Sequence, residues 1–265
     1  MTRTFRAIPT MLRVGFASAV AYRSELLVWI LTTNMPLVML LLWRAVAREA
    51  PVGRFGEAEF TAYFLAALVV RLLTSSWVVW EMTFEVRTGV LGQRLLRPMH
   101  PFLSYACDNL AALPLRLAVV LPLAFVSVIM VGRAHLTHDP LQGGLVVVAM
   151  MGSWAITFCV MAMIGTLSLY WESSLSLHDI WIGLTFVLSG YLMPLELLPP
   201  RLYAVVKLLP FRFLLGFPVE LTLGLVDRAE TFRGLAIQWT WLAIFLLGAM
   251  VVWRRGVARF AAFVG

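Results

Sequence analysis

Few residues of this sequence could do chemistry, and the first to consider is Lys207, the only lysine. A phosphate-binding loop needs a glycine-rich turn followed by lysine and then serine or threonine, because backbone N–H groups and the ammonium group share the phosphate charge. Lys207 lies instead in the run VVKLLPF. The sequence therefore predicts that this chain binds no cofactor, and that any ATP it depends on is held by another subunit.

The histidines and serines form no catalytic or metal-binding pattern. His135 and His138 lie in a polar stretch with Asp139, but no fourth ligand is near them, so loop polarity explains them better than a zinc site does. The pair Ser189–Gly190 lacks the flanking glycine of an intramembrane serine-protease motif. We therefore predict no catalytic residue and no metal ion, and we expect that the chain is not an enzyme.

Two arginines lie within apolar runs. Arg71 is about ten residues, or roughly 15 Å along a helix, from the polar edge at Glu81. A charge at that depth is costly and usually faces the bundle interior or a cavity. Arg71 is thus a candidate contact for an anionic or lipid-like substrate, although an ion pair with another span or a sister subunit explains it better. Arg116 is a second candidate, and its side chain could instead extend to the membrane interface.

The composition identifies lipid as the main solvent of the chain. Of its 265 residues, 61% are hydrophobic and 13% are charged, against about 25% charged in soluble domains. The net charge of +7 comes from arginines dispersed among apolar runs, which is typical of loops that meet anionic lipid headgroups. We therefore expect membrane lipids as partners and no nucleic acid.

The hydropathy pattern predicts an all-α, polytopic membrane protein in which residues 1–265 form one transmembrane domain. Runs near 20 residues with few charges, the length that crosses about 30 Å of hydrocarbon, recur six times. Their bounds are about 26–43, 60–80, 105–131, 140–171, 180–195 and 235–253. No apolar run lies within the first 25 residues, so we expect no cleavable signal peptide and six spans in the mature protein.

Residues 3–25 are predicted to form a helix that lies in the membrane interface. Phe5, Ile8, Leu12 and Phe16 recur at spacings of three and four with arginines between them, as interfacial helices do. A solvated N-terminal segment is the alternative. An even number of spans places both termini on one side, and the distribution of arginines slightly favours the cytoplasmic side.

Residues 81–101, between the second and third spans, mix charged and apolar residues. Glu85, Arg87, Arg94 and Arg97 are interspersed with valine and leucine, and prolines end the segment. This pattern predicts a short amphipathic helix. Such a helix either transmits a push from a soluble partner to both neighbouring spans or only caps the bundle, and the pattern supports the two equally.

Residues 196–233 are largely apolar but too often interrupted by proline to form a span. We expect two short helices that enter the membrane from one side and return, because non-helical backbone at membrane depth must be covered by protein or line a cavity. The alternative is a seventh span over residues 208–226, which Pro210, Arg212 and Glu220 disfavour.

Two blocks resemble the ABC-2 type exporter permeases, most closely a branch of bacterial six-span permeases of about this length. The first block is EVRTGVLGQRLLRP, which is similar to that family's loop after the second span. The second is residues 188–224, with its order of Ser-Gly, Pro-Leu, Leu-Pro, Leu-Pro-Phe, a later proline and a closing Leu-Gly. Pro200 departs from the family pattern.

The resemblance implies a membrane-spanning permease subunit of an ATP-binding-cassette exporter in the bacterial inner membrane. Two permeases, identical or different, would pair above two cytoplasmic ATPase subunits that hold ATP and Mg²⁺. The residues implied in coupling to the ATPase are Glu85, Arg87, Gly89, Arg94, Leu95, Arg97 and Pro98. Those implied in a re-entrant gate near the outer surface are Ser189, Gly190, Pro194, Pro199, Pro210, Phe211 and Pro218.

Two other functions stay open at this point. An integral-membrane enzyme that acts on lipid-linked substrates would need a cluster of polar or acidic residues at one membrane depth, and the sequence shows no such cluster. A structural or assembly protein of the membrane would co-purify with no ATPase.

Overall fold

The computed structural model describes residues 2–24, 28, 35–97, 99–131, 139–171 and 174–264. In this part of the chain all regular structure is helical apart from one isolated bridge between Val52 and Phe55. The predicted all-α class is confirmed.

Within the described residues we number the α-helices in chain order. They are α1 (Thr2–Ala21), α2 (Met35–Glu49), α3 (Glu57–Thr74), α4 (Val78–Thr88), α5 (Val90–Leu95), α6 (Pro101–Ala111), α7 (Leu113–Val131), α8 (Pro140–Thr166), α9 (Ser174–Leu188), α10 (Pro200–Val206), α11 (Gly216–Thr222) and α12 (Arg228–Val264). Short 3₁₀ turns are found at Leu167–Leu169, Leu195–Leu197 and Pro210–Leu214.

Four helical stretches of the described chain are long and apolar enough to cross a membrane. They are Glu57–Thr88, Pro101–Ile129, Pro140–Leu169 and Arg228–Arg259. These stretches match the second, third, fourth and sixth predicted spans. The fifth is a shorter apolar helix, Ser174–Leu188, and eight of the eighteen residues of the first lie outside the described part of the chain, before Met35. The count of six therefore stays a prediction.

The second span is interrupted, which the sequence did not predict. α3 ends at Thr74, and Ser75 has extended backbone with ψ of 149° before α4 begins at Val78. The guanidinium Nη1 of Arg116, on α7, donates to the carbonyl oxygen of Ser75 at 2.9 Å. Its Cζ also lies 4.6 Å from the centroid of the Trp77 ring. A cation from the third span thus satisfies a carbonyl that the interrupted helix leaves without a helical partner.

Helix α8 forms the centre of the bundle and packs against α12, α4, α11 and α3. Its residues Ile156 and Val160 are fully buried. The helix begins after Asp139, whose Oδ1 accepts a hydrogen bond from the backbone N of Leu141 at 3.0 Å. Pro140 follows at the first helical position, where its fixed φ suits a helix start.

The outer surface of the bundle is apolar. Leu121, Phe125 and Ile129 on α7 are exposed, and so are Ile244 and Leu247 on α12. Large contiguous apolar faces are rare on soluble monomers, whereas lipid solvates them. This surface is consistent with the predicted polytopic membrane protein.

The N-terminal helix and the end of the last helix lie at the same end of the bundle as residues 81–101. α1 packs on α6 at Gly15, where an added Cβ would lie 2.7 Å from the Cβ of Ala111. The ring of Trp253, late in α12, lies 5.0 Å from that of Phe102 at the start of α6. We call this the coupling end. The helices nearest the two termini thus lie at one end of the bundle, as expected if both termini share a side of the membrane.

Candidate functional site

The segment of residues 81–101, here the coupling segment, is not the single amphipathic helix that the sequence predicted. α4 continues the second span to Thr88 and ends at Gly89. The φ of Gly89 is 76°, a left-handed conformation that glycine adopts without strain. The short helix α5 (Val90–Leu95) follows, and α6 begins at Pro101. The glycine turn therefore divides the segment into the end of a span and a helix of less than two turns.

Arg94 on α5 lies at the centre of a buried cluster of polar side chains. Its Nη2 pairs with Oε1 of Glu81 at 3.0 Å and with Oε1 of Glu85 at 2.5 Å. Its Nη1 pairs with Oδ2 of Asp108 at 3.2 Å and donates to Oγ of Ser104 at 2.8 Å. We call these five residues and Tyr105 the polar node. The node connects α4, α5 and α6, which are the two spans and the segment between them.

The charge of the polar node is unbalanced, with three carboxyl groups around one guanidinium. The side chain of Arg94 is only 12% exposed, and burial alone would lower its pKa. The hydrogen bond to Glu85 and the nearby charges outweigh burial, so the pKa of Arg94 is raised above its ordinary value. Arg94 therefore stays charged and holds the carboxylates together.

The opposite face of the coupling segment points outward. Its exposed residues are Arg87, Thr88, Gly89, Val90, Gln93, Leu96 and Arg97. Leu95 is partly buried against the main core, and Pro98 lies outside the described residues. Of the predicted coupling residues, then, Arg87, Gly89 and Arg97 form a surface, whereas Glu85 and Arg94 fix that surface to the spans.

A cavity of about 570 Å³ separates α1 from the polar node. Gly15 and Ser18 of α1 and Tyr22 just after it line one side, and Glu81 and Asp108 line the other. The N-terminal helix is therefore a wall of this cavity as well as the predicted interfacial element.

The first predicted gate residues lie where α9 ends. The backbone oxygen of Ser189 accepts a hydrogen bond from the N of Gly216 at 2.8 Å. The oxygen of Gly190, which has φ of 89°, accepts one from the hydroxyl of Tyr63 at 2.8 Å. Pro194 precedes the 3₁₀ turn Leu195–Leu197. The structure thus brings Ser189 and Gly190 against both α3 and α11.

The later gate prolines start short helices instead of a span. Pro199 precedes α10, Pro210 begins a 3₁₀ turn, and Pro218 lies in the first turn of α11, where its missing N–H costs little. The ring of Phe211 packs 4.8 Å from that of Trp181. Two short helices were predicted, and no continuous helix covers residues 208–226. Their entry into the membrane stays a prediction.

A buried ion pair lies inside this proline-rich block. Nη2 of Arg212 is 2.6 Å from Oε2 of Glu220, and their side chains are 1% and 4% exposed. Lys207 and Glu230 extend the network, with Nζ of Lys207 3.1 Å from Oε1 of Glu230. The only lysine therefore has a structural partner. Glu196, in the 3₁₀ turn before α10, pairs with Arg54, which lies 142 positions earlier in the chain.

Sequence reasoning missed a second polar contact at the bundle centre. Nε2 of Gln238, on α12, donates to the carbonyl oxygens of Ala149 and Phe213 at 2.9 and 3.1 Å. Oγ of Ser153 also donates to the oxygen of Phe213, at 2.6 Å. These bonds fix α8, α12 and the proline-rich block to one another. A glutamine inside the sixth apolar run was the available signal.

The two intramembrane arginines have different surroundings. Arg116 does not extend to the interface, since it is 1% exposed and bonds to Ser75. Arg71 lines a cavity together with Tyr191. A role for either in substrate binding stays a prediction.

Among the residues that the structure describes, no group of three or more His, Cys, Asp or Glu side chains is placed to hold a metal ion. His135 and His138 lie outside those residues.

The fold and its buried polar contacts define a polytopic helical membrane protein. A family model described as ABC-2 family transporter protein matches residues 24–263, nearly the whole chain. The chain belongs to this family, which makes it the membrane permease component of an ABC transporter and confirms the resemblance noted in the sequence. No curated protein matches the chain.

Proposed function

We propose that this chain is the permease subunit of an exporter and that a separate ATPase drives it through the outward face of the coupling segment. ATP and Mg²⁺ bind in that ATPase. The observation that carries the proposal is the polar node, because it fixes a small exposed surface to the ends of two spans at once.

The polar node makes the coupling segment suitable for transmitting force. A surface loop without buried contacts would bend under load and leave the spans where they were. Arg94 instead pairs with Glu81 and Glu85 on α4 and with Asp108 on α6. A displacement of Arg97 or Leu96 by a partner therefore moves both helices together.

The exposed face also has the chemistry of a docking surface. Leu96 is 86% exposed and lies between the exposed side chains of Gln93 and Arg97. An apolar anchor next to arginine is the composition enriched at protein interfaces. The occupant we propose is the ATPase, which places the coupling end and both termini in the cytoplasm of a bacterial cell.

The opposite end of the bundle supplies the gate in this proposal. α10 and α11 re-enter the membrane from the outer side, and they separate when the spans move. Two permease subunits, identical or different, form the complete pathway, and their apolar outer faces meet lipid and each other.

Co-purification tests the proposal. The tagged chain is isolated from native membranes in mild detergent, and bound proteins are identified by mass spectrometry and assayed for ATP hydrolysis. We expect an ATPase subunit with the wild-type chain, and its loss or uncoupled hydrolysis with Arg97→Glu. Arg255→Glu, an exposed arginine of α12, is the matched control. An ATPase that binds and couples equally to both variants would refute the docking surface, and no bound ATPase would refute the function.

A further inference from the structure

A narrow cavity of about 80 Å³ lies inside the bundle between α3, α8 and α9. Arg71, Tyr191, Trp80 and His178 are among its lining residues, and the ring centroids of Trp80 and His178 lie 4.5 Å apart. Ser189 also lines it, eleven positions after His178, which corresponds to roughly 16 Å along a helix. The cavity is therefore an elongated slit.

Two residues that line this slit each carry a buried polar atom without a hydrogen-bond partner among the described residues. The atoms are Oγ of Ser189 and Nε2 of His178, on residues that are 0% and 6% exposed. Such atoms cost about 1–3 kcal/mol each when nothing satisfies them. Their position at separate parts of one slit indicates an occupant that reaches both.

The charge of the slit selects an anion. Arg71 contributes a permanent positive charge, and none of the described residues that line the slit is acidic. The hydroxyls of Ser189 and Tyr191 add donors beside it.

The remaining walls of the slit suit an apolar chain. Trp181, Ile182 and Phe186 from α9 lie along it, with Leu214 from the proline-rich block. Trp80 is 47% exposed and also lines the slit, so the slit reaches the outer surface of the bundle there. A molecule dissolved in the bilayer can enter beside Trp80.

We propose that this slit binds an elongated amphiphile with an oxyanion head, whose phosphate or carboxylate lies against Arg71, Tyr191 and Ser189. A water molecule occupies roughly 10–15 Å³ in a cavity measured this way, so the volume holds the head group and the adjoining segment of the chain, and the rest of the chain lies in the bilayer. That this amphiphile is the transported substrate rests on the proposed function, whereas its binding does not.

The test uses the full-length chain in phosphatidylcholine nanodiscs, with binding measured by calorimetry against empty discs. The probes are decyl phosphate, decyltrimethylammonium of equal chain length, and inorganic phosphate. We expect saturable binding of decyl phosphate alone. Equal binding of decyltrimethylammonium would overturn the anionic head, and equal binding of inorganic phosphate would overturn the amphiphile.

Two variants locate the binding in the slit. Arg71→Gln and Ser189→Ala should each weaken decyl phosphate binding at least about tenfold, the effect of losing a hydrogen bond to a charged group. Arg255→Gln and Thr240→Ala, exposed on α12, are the matched controls and should bind as the wild type does. Unchanged affinity in both slit variants would overturn the assignment.

A stability measurement separates binding from folding. Because Oγ of Ser189 has no partner in the described chain, Ser189→Ala should unfold at a temperature no lower than that of the wild type without ligand, and should lose the protection that the ligand gives. A lower melting temperature without ligand would assign the hydroxyl a structural role and overturn its role in binding. Since these discs contain no ATPase, the result is independent of the co-purification that tests the proposed function.

Discussion

The guanidinium carbon of Arg94 lies 4.0 Å from the centroid of the Tyr105 ring, and the hydroxyl of Tyr105 donates to Oε2 of Glu85 at 2.6 Å. The tyrosine thus stacks on the cation and binds the carboxylate that neutralises it. This arrangement keeps an arginine of the coupling segment inside the protein, whereas Leu96 and Arg97 after it are exposed.

Charge reversal should destabilise the protein strongly at Arg94 and hardly at all at Arg97. Arg94→Glu places a fourth acidic group among Glu81, Glu85 and Asp108, so we expect a loss of about 3–5 kcal/mol in unfolding free energy. Arg97→Glu changes an exposed residue and should alter stability by less than about 0.5 kcal/mol. Denaturant unfolding of the purified permease, followed by tryptophan fluorescence, measures both. Equal stability of the two variants would contradict the polar node.

Arg212 and Glu220 should be strongly coupled. Arg212→Met or Glu220→Leu alone leaves an unpaired charge in a buried site, which costs about 3–5 kcal/mol. The double variant removes both charges. Its loss of unfolding free energy should be smaller than the sum of the two single losses by more than about 1 kcal/mol. A double-mutant cycle from unfolding curves provides the value. Additive effects would show that the pair does not form in the membrane.

Two glycines of α8 should respond in opposite directions to alanine. At Gly152 an added Cβ would lie 2.7 Å from Cδ of Gln238, whereas at Gly144 nothing lies within 4 Å. We expect Gly152→Ala to lose about 1–3 kcal/mol through overpacking. Gly144→Ala should gain up to about 1 kcal/mol from helix propensity. Gly144→Ala is the control, since it makes the same substitution in the same helix. Similar losses of stability in both variants would show that the packing of α12 on α8 does not cause the loss at Gly152.

The pair of Asp139 with Arg228 should make stability depend on acid pH. Their atoms Oδ2 and Nη2 are 2.7 Å apart, and the hydrogen bond from Arg228 holds the pKa of Asp139 below its ordinary value of 3.8. The pair therefore stabilises the fold fully above that value, and its contribution declines as the pH falls through the lowered pKa. The difference in melting temperature between wild type and Asp139→Asn should be constant near neutral pH and shrink in acid. If the difference in melting temperature grew as the pH fell, the direction of this pH dependence would be wrong.

The long spans were predictable from the sequence because hydrocarbon requires uncharged runs of fixed length. The uncharged run after Asp139 gave α8, and the run before Trp253 gave most of α12. The start of the fifth span was less clear, since Ser174 and His178 are polar yet belong to α9 and are buried. Proline positions also indicated correctly that residues 208–226 form no single helix.

The interior contacts were not predictable, because they join residues far apart in the chain. Arg94 faces the bundle, where it pairs with Asp108, fourteen positions away on another helix. The sequence alone does not show that pairing. The interruption at Ser75 has no proline or glycine to indicate it, and the residue that satisfies its carbonyl is Arg116 on another span. Periodicity describes one helix at a time, so it cannot show which buried groups meet.

The interruption between Thr74 and Val78 gives the second span two rigid rods joined by a short extended link. The rod at the coupling end, α4, carries Glu81 and Glu85 of the polar node, and the other rod, α3, carries Arg71. Three residues without regular helical hydrogen bonds bend more easily than either rod, and Arg116 fixes the pivot to the third span. A small tilt of α4 would therefore change the angle at which α3 meets Tyr191, on the other side of the interruption.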